Sequence, residues 1–114
     1  MSVSIKRAYY AAEASDGYRV LVDRLWPRGV SKASLKMDVW MRDVAPSPEL
    51  RRWFQHDVTK WTEFQKRYLK ELAGREDLVR ELRQRSRDGH LTLLYATRDE
   101  IHNSAAVLKK LLES

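Results

Sequence analysis

The sequence has no cysteine and only four glycines and three prolines among its 114 residues. The absence of cysteine excludes thiol nucleophiles, disulfides, cysteine-ligated zinc and iron–sulfur clusters. The four glycines form neither a phosphate-binding loop nor a dinucleotide fingerprint, so the patterns of nucleoside triphosphate hydrolysis and nicotinamide chemistry are missing. No Gly-x-Ser-x-Gly elbow and no His-Glu-x-x-His motif is present. The chain therefore carries no catalytic motif of established spacing.

Long apolar runs are also missing. Residues 1–10 place Lys6 and Arg7 inside a short apolar pattern, and no stretch behind them has the length of a signal sequence or a membrane span. The sequence therefore predicts a cytoplasmic protein with no membrane partner. A chain of 114 residues can bury a core without disulfides or a structural metal, so we expect one α/β domain over residues 1–114.

The formal net charge is +6 and is concentrated near the N-terminus. Residues 1–36 carry seven basic and three acidic side chains, whereas the remainder carries fifteen and thirteen. A local basic excess suits a small anion or a nucleic acid. A nucleic-acid or protein-interaction module therefore stays open as an alternative to an anion site. The four tryptophans could form a dimer interface as readily as a core.

The alternation of apolar and polar residues predicts an α/β fold, with a small, mostly parallel sheet and helices packed around it. Strands are predicted at residues 3–10, 18–23 and 91–96. The last of these is a nearly continuous apolar run, which is typical of a central strand covered on both faces. Residues 38–44 are ambiguous between a short strand and irregular chain.

Four helices are predicted between and after these strands. Ser47 and Pro48 form a helix start, since serine caps free amides and proline suits the first helical position, and this helix should run to about residue 56. Further helices are predicted from about residue 59 to Gly74, over 75–87, and from about residue 101 onward. The last helix should bury one apolar face, formed by Ile101, Ala105, Leu108 and Leu112.

Two polar loops, residues 23–29 and 97–103, directly follow predicted strands. If those strands are parallel neighbours, the loops meet at the edge of the sheet where α/β proteins commonly bind ligands. Arg24 and Arg28 flank Trp26, and guanidinium groups bind phosphate or carboxylate bidentately while an indole can stack. We therefore expect a small phosphorylated or nucleotide-like anion here. Alternatively, Asp23 and Arg24 form an ion pair and Trp26 belongs to the core.

The second loop supplies groups that could act on a bound anion. Asp23, Asp99 and His102 are the available proton carriers, and Asn103 could donate to a bound oxygen. This set would permit hydrolysis or group transfer without demonstrating either, so whether the protein is an enzyme stays open.

A metal site is the main alternative. His56, Asp57 and His102 are the candidate ligands, because histidine together with carboxylate suits zinc, iron or manganese. Their spacing matches no known ligand motif. In the other interpretation, Asp57 and Asp99 cap the helices that follow them. No particular cofactor is implied.

The string Val-Asp-Arg-Leu-Trp-Pro-Arg-Gly at positions 22–29 is specific, and it is followed in order by Ala-Pro-Ser at 45–47, Leu-Arg at 50–51 and Leu-Leu-Tyr-Ala at 93–96. On these strings the chain resembles the YeaO-like family, a family of unknown function. The resemblance implies a compact cytosolic α/β protein and supplies no activity or catalytic residues. Family members tend to place a histidine directly after the asparagine that corresponds to Asn103, whereas this chain has Ser104, so any role of that histidine would fall to His102 or be absent.

Overall fold

The computed structural model describes residues 2–114. Within them, one parallel four-stranded sheet has the strand order β1-β4-β2-β3. The strands are β1 (Ser2–Arg7), β2 (Tyr18–Leu21), β3 (Val39–Trp40) and β4 (His90–Tyr95). The helices are α1 (Lys32–Leu35), α2 (Pro48–Phe54), α3 (Trp61–Ala73), α4 (Glu76–Asp88) and α5 (Ser104–Glu113). The predicted α/β class with a parallel sheet is confirmed.

Strand β4 is the centre of the sheet, as its apolar run predicts. It pairs in parallel with β1 on one side and with β2 on the other, where Val20 lies opposite Leu93. All of its residues after His90 are buried. Because β2 and β4 are parallel neighbours, the loops that follow them leave the sheet at the same edge.

Alternate side chains of the sheet enter two apolar clusters on its opposite faces. The larger cluster packs Val20, Leu93 and Tyr95 against helices α2 to α5. The smaller one holds Leu21 and Leu94, with helix α1 and two tryptophans packed around them. Both faces of the sheet are therefore covered, which accounts for the continuous apolar run in β4.

Helix α3 buries the face that its spacing predicts, with Phe64, Tyr68 and Leu72 in the larger cluster. The hydroxyl of Tyr68 donates to the carbonyl oxygen of Val44 at 2.7 Å, so a fully buried polar group has its partner. None of the helices within residues 2–114 combines the length and the apolar character that crossing a membrane requires.

The start of the last helix differs from the prediction. Helix α5 begins at Ser104, and Asn103 is its N-cap, with the side-chain oxygen accepting from the amide of Ala106 at 2.8 Å. Ile101 is 71% exposed, so its predicted place on the buried face is wrong. The cause is Asp99, whose Oδ1 accepts from the amides of Ile101 and His102 and holds this segment in a turn.

Other segments are also clarified by the structure. The ambiguous residues 38–44 form the two-residue strand β3 and a 3-10 turn, Arg42–Val44. The short helix α1 is not predicted from the sequence; it is capped by Ser31 and buries Leu35. Strand β2 ends at Leu21, two residues earlier than predicted, which frees Asp23 from the sheet.

Candidate functional site

A cleft of about 940 Å³ lies at the carboxyl ends of β2 and β4. Both polar loops named in the sequence contribute to it, because their strands are parallel neighbours. The cleft is lined by Tyr9, residues 23–28, Ala45, Pro46, Pro48, Arg51, Arg52, residues 54–56, Phe64, residues 95–97 and residues 102–104. We call this space the cleft throughout.

Asp23 joins the ends of the two central strands at the cleft. Its Oδ2 accepts from the amide of Ala96 at 2.9 Å, and its backbone carbonyl accepts from the indole of Trp40 at 2.7 Å. Its Oδ1 makes no hydrogen bond to any residue of the range 2–114 and borders the cleft. Burial raises the pKa of Asp23 to about 6, while the Ala96 amide and the charge of Arg51 act in the opposite direction. The carboxyl group can therefore change its protonation near neutral pH.

Four arginines line the cleft: Arg24, Arg28, Arg51 and Arg52. Within the described chain none of them forms an ion pair, so the alternative of an ion pair between Asp23 and Arg24 is wrong. Arg24 makes only long hydrogen bonds, at 3.4 Å, to the carbonyl oxygens of Ala45 and Pro46. Among the lining residues that the structure describes, Asp23 is the one acidic side chain. The cleft is therefore strongly cationic.

Trp26 has a structural place as well as a position in the wall of the cleft. Its indole N–H donates to the carbonyl oxygen of Val30 at 2.6 Å, and its ring meets that of Trp40 edge-on at 5.4 Å. The ring is half-buried against the smaller apolar cluster. Both interpretations of Trp26 therefore retain support, and stacking on a ligand stays a prediction.

In the second loop, Asp99 and His102 form a pair. Asp99 Oδ2 lies 3.0 Å from His102 Nδ1, and because an ionised carboxylate only accepts, Nδ1 carries the proton. Hydrogen bonds from the amides of His102 and Ile101 are the main cause that lowers the pKa of Asp99. His102 lines the cleft and meets the ring of Trp61 edge-on at 5.3 Å, whereas Asp99 does not line the cleft. Of the three predicted proton carriers, Asp23 and His102 thus border the same space.

Asn103 lines the cleft but is used mostly within the protein. It is 4% exposed; its side-chain oxygen caps α5, and its amide nitrogen donates to the carbonyl oxygen of Asp99 at 2.9 Å. This arrangement identifies Asn103 as the residue that fixes the loop to the helix. The prediction that it also donates to a bound oxygen stays a prediction.

The candidate metal ligands do not gather. Asp57 Oδ1 accepts from the amide of Thr59 at 3.0 Å and caps the following 3-10 turn, as the alternative interpretation predicts. His56 and His102 both line the cleft. In the part of the chain that the structure describes, no three histidine, aspartate or glutamate side chains are grouped so that they could hold a metal ion.

The sequence prediction misses several residues of the cleft, among them Arg51, Arg52 and Tyr95. Tyr95 is 2% exposed, its hydroxyl is accessible and makes no hydrogen bond within residues 2–114, and burial raises its pKa to about 12. The hydroxyl therefore stays protonated at neutral pH and borders the cleft. A tyrosine at the carboxyl end of a buried strand was the available signal for it.

The backbone at one wall of the cleft is strained. Gln55 and His56 follow helix α2 with φ of 47° and 55°, in the left-handed region that side-chain-bearing residues rarely occupy. Both line the cleft. Strain of this kind often accompanies binding sites, where it sets the direction of side chains.

A family model described as "Inactive DUF488-N3 subclade" matches residues 2–114. The chain is 44% identical over 114 residues to "Uncharacterized protein YeaO" of Escherichia coli (strain K12), which covers 100% of this chain and 99% of that relative. It is 42% identical over 110 residues to "Uncharacterized protein Rv3073c" of Mycobacterium tuberculosis, covering 96% of this chain and 92% of that relative. No solved structure matches it significantly.

Proposed function

The chain belongs to the DUF488-N3 family, within the subclade described as inactive. We propose that it binds a small phosphorylated anion in the cleft and does not transform it. The YeaO-like resemblance of the sequence is thereby confirmed. One observation carries the proposal: four arginines without a carboxylate partner in residues 2–114 line one cleft that holds a single acidic side chain.

The charge of the cleft favours an anion with more than one negative charge. Four guanidinium groups around one cavity repel one another, and a bound phosphate would relieve that repulsion. Each guanidinium also offers a planar pair of donors that fits two phosphate oxygens. Hydrogen bonds to charged groups contribute about 1.5–3 kcal/mol each, so at least three of them are needed to approach the roughly 8 kcal/mol of a micromolar complex.

The position and size of the cleft support an organic ligand. It lies beyond the carboxyl ends of adjacent parallel strands, where α/β proteins commonly bind ligands. Its volume of about 940 Å³ is near the upper end of the range for small-molecule sites, which is roughly 300–1,000 Å³. The wall includes apolar surface from Phe54 and Phe64, which can contact a carbon skeleton.

Binding is favoured over catalysis because the cleft lacks an evident nucleophile. The sequence has no cysteine, and Ser104 is the first residue of α5, outside any nucleophile elbow. The description of the subclade as inactive points the same way. In the alternative, the protein hydrolyses its ligand with Asp23 and His102 as proton carriers. An assay for phosphate released from phosphate esters tests that alternative directly.

Calorimetric titration with inorganic phosphate, ribose 5-phosphate and adenosine monophosphate tests the proposal. Arg28→Ala and Arg51→Ala should each weaken binding by about tenfold or more with little change in Tm, because both side chains are exposed and unpaired in the described chain. Arg80→Ala, at an exposed position on α4 away from the cleft, is the matched control and should bind as the wild type does.

Equal binding by all three variants, or no binding of any phosphorylated compound, would contradict the proposal. Short oligonucleotides at low salt test the nucleic-acid alternative, which requires binding that weakens steeply as salt rises.

Cytoplasmic residence also stays a prediction from the sequence, and cell fractionation followed by detection of the chain tests it.

A further inference from the structure

Resting on the proposed function, we infer that the ligand is a phosphate monoester of a polyhydroxylated compound, whose phosphate lies on the arginines and whose hydroxyl groups meet Asp23 Oδ1 and Tyr95 Oη. The shared chemistry is a sugar bearing one phosphate. Such a group occurs in free sugar phosphates and in nucleoside monophosphates.

Tyr95 supplies the first observation. Only 2% of the residue's surface is exposed, and no side-chain oxygen or nitrogen within residues 2–114 is both buried and unpaired, so the hydroxyl is the part of Tyr95 that stays accessible. The hydroxyl of the fully buried Tyr68 donates to the carbonyl oxygen of Val44, whereas Tyr95 Oη is accessible and makes no hydrogen bond within the described residues. Because Tyr95 lines the cleft, its hydroxyl can donate to and accept from a molecule bound there.

Asp23 supplies the second observation. Its Oδ2 is fixed by the amide of Ala96, the residue that follows Tyr95, so the carboxylate and the tyrosine lie at the ends of adjacent strands. Its Oδ1 is left at the surface of the cleft without a partner in residues 2–114. An ionised carboxylate accepts hydrogen bonds and repels phosphate, so its natural partner on a ligand is a hydroxyl group.

The two groups therefore differ from the arginines in what they recognise. A site for inorganic phosphate alone gains nothing from a desolvated carboxylate among its four cations, since the carboxylate weakens the attraction. A polyhydroxylated phosphate can use both sets at once. The cleft, at about 940 Å³, has room for the sugar beside its phosphate.

Titration calorimetry at about pH 7.5, where Asp23 is largely ionised, tests this inference. The probes are ribose 5-phosphate, adenosine monophosphate and ethyl phosphate, which has no hydroxyl groups on its carbon chain. Wild type should bind the first two at least about tenfold more tightly than ethyl phosphate. Tighter binding of adenosine monophosphate than of ribose 5-phosphate would support a nucleotide as the source, and the reverse order a free sugar phosphate.

Two variants isolate the hydroxyl contacts. Tyr95→Phe and Asp23→Asn should each reduce the affinity for ribose 5-phosphate by about tenfold. Asp23→Asn should leave the affinity for ethyl phosphate unchanged or raise it, because it removes a negative charge. Neither change breaks an internal contact seen in residues 2–114, since asparagine keeps an acceptor for the Ala96 amide.

The results separate the two proposals. If Arg51→Ala weakens all phosphorylated probes while ethyl phosphate binds wild type as tightly as ribose 5-phosphate does, the anion cleft stands and the hydroxyl inference is overturned. Equal losses for ethyl phosphate and ribose 5-phosphate in Tyr95→Phe would overturn it as well. If no probe shows arginine-dependent binding, both proposals are overturned.

Discussion

Replacing Asp23 with asparagine should stabilise the folded protein at neutral pH and leave it unchanged in acid. Burial raises the pKa of this carboxyl group from 3.8 to about 6, so folding at neutral pH places a carboxylate where its charge is disfavoured. Asparagine has nearly the same shape, and its oxygen can accept from the Ala96 amide as Asp23 Oδ2 does at 2.9 Å. The variant therefore removes the charge and keeps the contact.

The sign and size of the effect follow from proton linkage. Because the folded pKa exceeds the unfolded one, the folded state binds more protons between about pH 4 and pH 6, and the stability of the wild type falls as pH rises through that window. A difference from 3.8 to about 6 is about two pH units, which corresponds to at most about 3 kcal/mol. Asparagine does not titrate. The advantage of the variant should therefore be near zero below about pH 4 and should reach up to about 3 kcal/mol above about pH 6.5.

Urea unfolding of both proteins across this pH range measures the difference, with the slope m checked for constancy. Asp43→Asn removes one charge at an exposed position outside the cleft and controls for the change in net charge; it should alter stability by no more than about 0.5 kcal/mol. A destabilised Asp23→Asn at neutral pH, or an advantage of the same size at pH 4 and pH 7, would refute the argument from burial.

Four further substitutions have expected effects on stability. Tyr68→Phe should cost about 1–3 kcal/mol in chemical denaturation because it leaves the buried carbonyl of Val44 without its donor, whereas Tyr95→Phe should cost less than about 0.5 kcal/mol; equal losses would contradict the assignment of Tyr95 Oη as unpaired. Gln55→Gly should raise the unfolding free energy by about 0.5–1 kcal/mol, since glycine occupies a φ of 47° without strain, and a lower Tm would count against strain there. Ser47→Ala should cost about 1–2 kcal/mol, because the serine hydroxyl caps α2 and donates to Glu71, and an unchanged Tm would exclude that cap as a stabilising contact.

Where the prediction of the fold succeeded, it rested on local periodicity. The spacing of Phe64, Tyr68 and Leu72 gave helix α3, and the apolar run of residues 91–96 gave a central strand, because each pattern matches the geometry of one element. The last helix was placed too early because the side chain of Asp99 competes for the amides that a helix would use.

The candidate site was predicted in part. The loops after β2 and β4 were expected to meet if those strands are parallel neighbours, and the structure shows that pairing and brings both loops to the cleft. Arg51 and Arg52 were missed because nothing local indicates that helix α2 packs beside those strand ends. Trp26 was left between two roles, and the structure places it both in a wall of the cleft and against the smaller apolar cluster.

By itself, the sequence determined most of the longer helices and strands of this protein, its family and the two polar loops that could carry chemistry, because those features depend on residues close together along the chain. The tertiary structure alone decided which of the seven N-terminal basic groups serve structure and which border the cleft. Arg19 is buried against Asp16, while Arg24 and Arg28 reach the cleft together with Arg51. It also decided that the ring of Tyr95 is buried while its hydroxyl, unpaired within residues 2–114, stays accessible. The physical reason is that burial and pairing depend on contacts between residues distant in sequence, which packing fixes and periodicity does not encode.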